Sequence, residues 1–217
     1  MNKDLIINNT IVFVKDTLKG AESGHDWFHI DRVYKNALLI SKSENVDLFV
    51  VALGALLHDI ADSKFYGGDE TIGPKLAKEF LELEKVDEKI IQHVIAIIEN
   101  ISFKGGKEQK TFSSKELDVV QDADRLDAIG AIGIARAFNY GGFKNNLLYD
   151  PDLPPQMYMN KAEYKKGSGT TINHFYEKLL LLKDLMNTVT GKKIAQKRHE
   201  FMEVFLSQFF AEWEGEK

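Results

Sequence analysis

The stretch that decides the fold of this chain spans residues 47–60 and reads DLFVVALGALLHDI. Asp47 has a short acidic side chain typical of a helix N-cap, and the ten residues after it are apolar or glycine. A helix that is apolar on every side is buried, so we predict a core helix through Ile60. Near its end, His58 and Asp59 place an imidazole and a carboxylate on this buried element, where both need a partner.

Other segments repeat apolar residues at the three- and four-residue spacing of helices. The predicted helices are Leu5–Leu18, a segment from Trp27 through Ile40, Pro74–Leu83, Asp87–Ile101, one opened by a capping box at Ser113–Glu116, Thr171–Asn187 and Thr190–Trp213. No alternating strand pattern exceeds a few residues, so we predict an all-α fold with two additional C-terminal helices. Glycines at positions 54, 130 and 133 interrupt helical patterns, which predicts close helix packing there.

The length of 217 residues predicts a single domain over 1–217. We expect its core at about 20–140, a loop over 139–171, and C-terminal helices over 171–213 packed on the core. The loop holds three of the four prolines, and long loops in compact domains are usually functional or mobile. We therefore predict that it is mobile without ligand and borders the pocket, and that Thr170 or Thr171 caps the next helix.

Composition and charge exclude several classes of function. The net charge of −5 argues against a nucleic-acid polymer as partner, because sequence-independent binding needs a basic face. The chain has no cysteine, so a metal must be held by histidine and carboxylate. Residues 5–14 lack the features of a signal peptide, and nothing approaches a membrane span. We expect a soluble, cytoplasmic protein with no membrane partner, and we leave a homodimer open.

Three fragments place metal-ligand side chains within predicted helices: 29–33 (HIDRV), 56–60 (LLHDI) and 122–127 (DADRLD). Their candidate ligands are His29, His58, Asp59 and Asp124. Two imidazoles and two carboxylates suit one divalent ion with open positions, namely Mn²⁺, which we favour, or Mg²⁺, Fe²⁺, Co²⁺ or Ni²⁺, better than a structural zinc. For the His-Asp pair alone, a buried histidine beside an aspartate paired with an arginine is the commoner arrangement.

These fragments, together with GHDWFHIDRV at 24–33, resemble the HD superfamily of metal-dependent phosphohydrolases, and within it a small bacterial subfamily. The similarity extends along the chain through 171–213. It implies an all-α HD-domain bundle, metal ligands at the same four positions, and hydrolysis of phosphate esters or anhydrides, often of nucleotides. The Gly-Tyr-Pro motif that marks cyclic-dinucleotide phosphodiesterases of this superfamily is absent.

Two further positions follow from the second fragment. Asp62 lies three and four residues after the His-Asp pair, at a position where the family carries a residue that orients the attacking water; the alternative is a surface aspartate. Lys64 follows closely, and Arg32 lies one turn after His29. We predict that Arg32 and Lys64 bind phosphate and offset the charge that develops during reaction. Arg32 could equally pair with a ligand carboxylate.

Three more residues are candidates for substrate binding. His25 lies four residues before His29, and either contacts substrate or only bonds the start of the helix. Lys104 lies in a connection rich in glycine and lysine, whose backbone N–H groups could approach a phosphate. Asp127, one turn after the last ligand, either orients Arg125 or faces the substrate.

The expected activity is metal-dependent hydrolysis of a small phosphate compound, most specifically nucleoside triphosphate pyrophosphohydrolysis, which releases pyrophosphate. The alternatives are a nucleoside monophosphate phosphatase and a metal-dependent nucleotide-binding regulatory protein without turnover.

Overall fold

A computed structural model describes residues 2–20, 26–61, 69–101, 112–156 and 169–216. Its helices are α1 (Lys3–Thr17), α2 (Trp27–Ser41), α3 (Leu48–Leu57), α4 (Ile72–Leu83), α5 (Glu88–Asn100), α6 (Lys115–Asp127), α7 (Gly130–Phe143), α8 (Thr171–Glu177), a 3₁₀-helix (Leu179–Leu185) and α9 (Val189–Trp213). These ranges contain no strand, which confirms the predicted all-α fold.

The described residues group into two compact units, the first ending at Asp124 and the second starting at Arg125. In the first unit, α3 packs against α1, α2 and α5; in the second, α7 and the 3₁₀-helix both pack against α9. The single domain predicted from the length stays a prediction. Among the helices of the described ranges, none is both long enough and apolar enough to cross a membrane.

Helix α3 is the buried centre of the first unit. The Asp47 carboxylate accepts a hydrogen bond from the backbone N–H of Phe49 at 2.9 Å, which confirms the predicted N-cap, and every residue from Phe49 to Leu57 is buried. The helix ends at Leu57, three residues before the predicted end at Ile60.

The early end of α3 has a local cause. Nδ1 of His58 donates to the Ala55 carbonyl oxygen at 2.9 Å. In a continuing helix that carbonyl would accept from the backbone N–H of Asp59. Because the side chain satisfies it instead, the chain can turn after Leu57 without leaving a buried carbonyl unpaired.

The predicted reason for the interrupting glycines holds for Gly54. A Cβ atom built there would lie 3.3 Å from a methyl carbon of Ile97 on α5 and 3.5 Å from one of Val120 on α6. Gly130 has a different role, since it is the first residue of α7 rather than an interruption. Its φ of +75° favours glycine, and a Cβ atom there would also lie 2.9 Å from Cγ of Arg198.

The start of α6 differs from the predicted capping box. Ser114, not Ser113, caps the helix: its hydroxyl accepts from the backbone N–H of Leu117 at 3.0 Å. Glu116 does not close a box with Ser113, because its carboxylate accepts from the backbone N–H of Asp47 at 2.9 Å. This hydrogen bond ties the start of α6 to the start of α3.

In the second unit, the predicted helix over Thr171–Asn187 is two elements. Thr170 caps α8, since its hydroxyl accepts from the backbone N–H of Asn173 at 3.1 Å, as predicted. The chain then leaves α-helical geometry at Lys178 (φ −143°, ψ −57°) and continues as a 3₁₀-helix. Leu179 and Leu182 of this 3₁₀-helix are both buried, and its three-residue period places them on one side.

The predicted loop over 139–171 begins later than expected, because α7 continues to Phe143. Residues 157–168 of this loop lie outside the described residues, so its mobility and its position beside a pocket stay predictions.

Replacing Gly54 with leucine should lower the free energy of unfolding by about 1–3 kcal/mol, because the added side chain has no space between α5 and α6. Urea unfolding followed by circular dichroism measures this change. Gly142→Leu is the matched control, since a Cβ atom there meets nothing within 4 Å and should leave stability unchanged or slightly higher. Equal unfolding midpoints for Gly54→Leu and the wild type would contradict close packing at this position.

Candidate metal centre

Helix α2 places His29 at the start of its first buried turn. The Asp26 carboxylate accepts a hydrogen bond from the backbone N–H of His29 at 3.0 Å. Asp26 is therefore the N-cap of α2. The His29 side chain is 3% exposed. Asp26 was not among the predicted N-caps, although a short acidic side chain just before a helix is an ordinary N-cap signal.

His58 follows α3 with one ring nitrogen paired and the other unpaired. Because a carbonyl only accepts, the contact with Ala55 places a hydrogen on Nδ1 and leaves a lone pair on Nε2. The side chain is 4% exposed, and within the described part of the chain Nε2 has no hydrogen-bond partner. A buried polar atom in this state requires an explanation, and a metal ion would satisfy it.

The protonation state of His58 fits the same role. Burial lowers the pKa of its imidazole, and this effect outweighs the opposing attraction of the neighbouring Asp124 carboxylate. His58 therefore stays neutral near pH 7, which is the form of histidine that binds a metal.

Ligand-type atoms from three parts of the first unit converge around these imidazoles. His29, His58 and Asp59 each offer one atom, and all three atoms lie within 4.8 Å of one another. Asp124, supplied by α6, has Oδ1 at 3.6 Å from Nε2 of His29 and 3.8 Å from Nε2 of His58. Nε2 of His29 also lies 3.9 Å from Oδ2 of Asp59. The structure thus brings together all four predicted ligands.

The spacing of these atoms suits a shared ion better than direct hydrogen bonds. The nitrogen–oxygen separations of 3.6–3.9 Å exceed hydrogen-bond length. Ligand atoms about 2.0–2.2 Å from one ion lie roughly 3–4 Å apart. We call the four side chains the HHDD group.

The HHDD group is open on one side. Side-chain exposure rises from 3% and 4% at the two histidines to 20% at Asp59 and 37% at Asp124. Water and a substrate can therefore reach the group on the side of Asp124, while the imidazoles form its buried floor.

Of the other predicted site residues, Arg32 and Asp127 lie within the described part of the chain. Arg32 is half-buried on α2, one turn after His29. Asp127 is 1% exposed, and Nη1 of Arg136 donates to its carboxylate at 2.8 Å and to its carbonyl oxygen at 3.2 Å. A carboxylate so buried and so paired favours a structural role over contact with substrate.

The structure pairs Asp127 with an arginine that we did not name from the sequence. Arg125 donates to the carbonyl oxygen of Leu185, whereas Arg136 forms the buried ion pair. Both contacts lie within the second unit. The remaining candidates, His25, Asp62, Lys64 and Lys104, lie outside the described residues, so their roles stay predictions.

Histidines elsewhere on the described helices have other surroundings. Nε2 of His93 lies 3.0 Å from the Ser114 hydroxyl, and Nε2 of His199 lies 3.2 Å from a Glu203 carboxylate oxygen. Burial, with Lys178 nearby, lowers the pKa of His174 to about 4. Across the described ranges, His29, His58 and Asp59 form the one cluster of three or more ligand-type side chains this close. The one-metal site stays a prediction.

Comparison with known proteins agrees with this geometry. The HD domain family model matches residues 27–129, a range that contains the whole HHDD group. The structure of an HD-superfamily hydrolase from Bacillus thuringiensis is 45% identical, covers 98% of this chain and 99% of its own, and superposes with a TM-score of 0.79.

A second relative is the protein YpgQ of Bacillus subtilis, which is 40% identical over 90% of this chain and 88% of its own length. The crystal structure of YpgQ in complex with ADP aligns with a TM-score of 0.73 at 37% identity, covering 94% of this chain and 95% of that one. From these matches over nearly its full length, the chain belongs to the HD superfamily of hydrolases.

Proposed function

We propose that this protein is a phosphohydrolase that depends on one divalent metal ion held by the HHDD group. The observation that carries the proposal is the unpaired Nε2 of His58, which is buried beside a second imidazole and two carboxylates. A metal ion explains both this orphaned lone pair and the crowding of acidic side chains around it.

The donor set indicates which ions suit the group. Two imidazole nitrogens and two carboxylate oxygens leave positions open on a six-coordinate ion, which fits Mn²⁺, Fe²⁺, Co²⁺, Ni²⁺ or Mg²⁺. When bound, such an ion supplies Lewis-acid chemistry, since it lowers the pKa of water and offsets charge on phosphate oxygens. We favour Mn²⁺, which binds both imidazole and carboxylate ligands.

The chain's own residues have separate tasks in this proposal. The buried imidazoles fix the ion, and the more exposed Asp59 and Asp124 face the side from which substrate arrives. Asp62 accepts a proton from the attacking water, as the family resemblance implies. Arg32 and Lys64 pair with phosphate oxygens and stabilise the charge that develops there.

A nucleotide is the substrate class that we favour. The YpgQ structure contains ADP, and this chain is similar to YpgQ over most of its length. Several predicted cations around one ion suit a polyphosphate chain, because each phosphate adds charge that needs a partner. We therefore infer that a nucleoside triphosphate is cut between the α and β phosphates, which yields a monophosphate and pyrophosphate.

The proposal predicts that the purified protein retains a divalent metal and that His58→Ala and Asp59→Ala each lose both the metal and the activity. Elemental analysis measures the metal, and circular dichroism should show nearly unchanged helicity. His93→Ala is the matched control, because it removes an imidazole from another helix of the first unit. Equal metal content in the wild type and both ligand variants would eliminate the metal centre.

Asp62→Asn should retain the metal but lower kcat by roughly a hundredfold or more, as expected when a positioned proton acceptor is lost. Steady-state kinetics together with elemental analysis separate this effect from loss of the ion. Unchanged turnover would make Asp62 a surface residue.

The bond that is cleaved can be read from the phosphorus-containing products. Nucleoside triphosphates should yield pyrophosphate as the first product, and Lys64→Ala should reduce turnover of triphosphates more than turnover of a monophosphate ester. Phosphorus NMR of the early reaction distinguishes pyrophosphate from orthophosphate. Orthophosphate as the sole initial product, or faster turnover of monophosphates, would identify a nucleoside monophosphate phosphatase instead. Tight nucleotide binding with no turnover would identify a regulatory protein.

A further inference from the structure

An exposed aromatic side chain lies directly beside a residue of the HHDD group. Phe28 precedes His29 on α2 and is 65% exposed, whereas the His29 side chain is 3% exposed. Single exposed apolar residues are common on protein surfaces. The informative feature of Phe28 is therefore its position.

Helix geometry places Phe28 on the open side of the group. Successive residues of an α-helix are rotated by about 100° around the helix axis. Measured from His29 in one rotational direction, Asn36 lies at about 20°, Arg32 at about 60° and Phe28 at about 100°. Nδ2 of Asn36 lies 3.5 Å from the carbonyl oxygen of Ala123 on α6. This contact places α6, which also carries Asp124, on the Asn36 side of His29.

The difference in side-chain exposure within the HHDD group indicates the same side of α2. Asp124 is the most exposed member of the HHDD group, so a substrate meets the ion on the side of α6. The buried residues of α2, including Ile30, Val33 and Ala37, lie in the opposite rotational direction. Arg32 and Phe28 thus lie on the solvent-facing side of α2, away from its buried residues.

We propose that the ring of Phe28 stacks on the base of the bound nucleotide. This inference rests on the proposed function and adds to it a residue for the base. The phosphates of a nucleotide are drawn to the ion and to Arg32, which leaves the base to extend outward along this side of α2. An exposed aromatic ring provides a flat apolar surface for it.

Stacking on one ring has a defined consequence for specificity. Every base has a π-face, so an aromatic platform binds purines and pyrimidines without reading their hydrogen-bonding edges. Phe28 would therefore separate nucleotides from bare polyphosphates while tolerating different bases.

Isothermal titration calorimetry of the Mn²⁺-loaded full chain tests the proposal, with ADP and pyrophosphate as the two probes. Phe28→Ala should weaken the Kd for ADP by roughly 5- to 150-fold, the effect of losing one stacked base, and leave the Kd for pyrophosphate unchanged. Phe28→Trp should retain ADP binding, because indole also offers a stacking face.

Leu39→Ala is the matched control. Leu39 is 45% exposed and lies on the same side of α2, about 16 Å further along the helix axis, so both Kd values should match those of the wild type. An equal rise in the Kd for ADP and for pyrophosphate in Phe28→Ala would mean that Phe28 only supports the metal site, and would overturn the proposal. Unchanged ADP binding would overturn it as well. A wild-type protein that holds Mn²⁺ but binds neither probe would instead contradict the proposed function.

Discussion

The burial of one imidazole nitrogen without a hydrogen-bond partner is the constraint that organises the first unit. Nδ1 of His58 bonds the helix that carries it, and the buried Nε2 then lies beside His29 and the Asp124 carboxylate. Leaving a buried polar atom unsatisfied costs about 1–3 kcal/mol. The apolar α3 that carries His58, the capped start of α2 and the C-terminal half of α6 are therefore arranged to place ligand-type atoms around this nitrogen.

The same constraint sets where chemistry can occur. A pocket lined only by buried ligands would hold an ion without access for substrate, as structural metal sites do. Here the two imidazoles are nearly inaccessible and the Asp124 carboxylate is more than one-third exposed. One side of the group is thus fixed by packing and the other is open to solvent, which is the arrangement that hydrolysis requires.

The features predictable from the sequence were those that depend on one element at a time. The apolar run after Asp47 predicted a buried helix with the correct N-cap, and the three fragments predicted side chains that the structure places within a few ångströms of one another. Features that depend on competition between partners were not predictable. The early end of α3 depends on a side chain replacing a backbone donor, and the break at Lys178 interrupts a stretch whose apolar spacing is helical throughout. The pairing of Asp127 with Arg136 spans a helix junction and has no periodic signal.

The hydrogen bond between Glu116 and the backbone N–H of Asp47 bears on how the group forms. It joins the first turns of the two helices that supply His58 and Asp124, and Asp124 lies eight residues, or about 12 Å, further along α6. This hydrogen bond contributes to the relative height of the two helices and does not involve the ion. The helices that carry these ligands are therefore joined by a contact of the protein itself, in contrast to small domains that fold only around their metal.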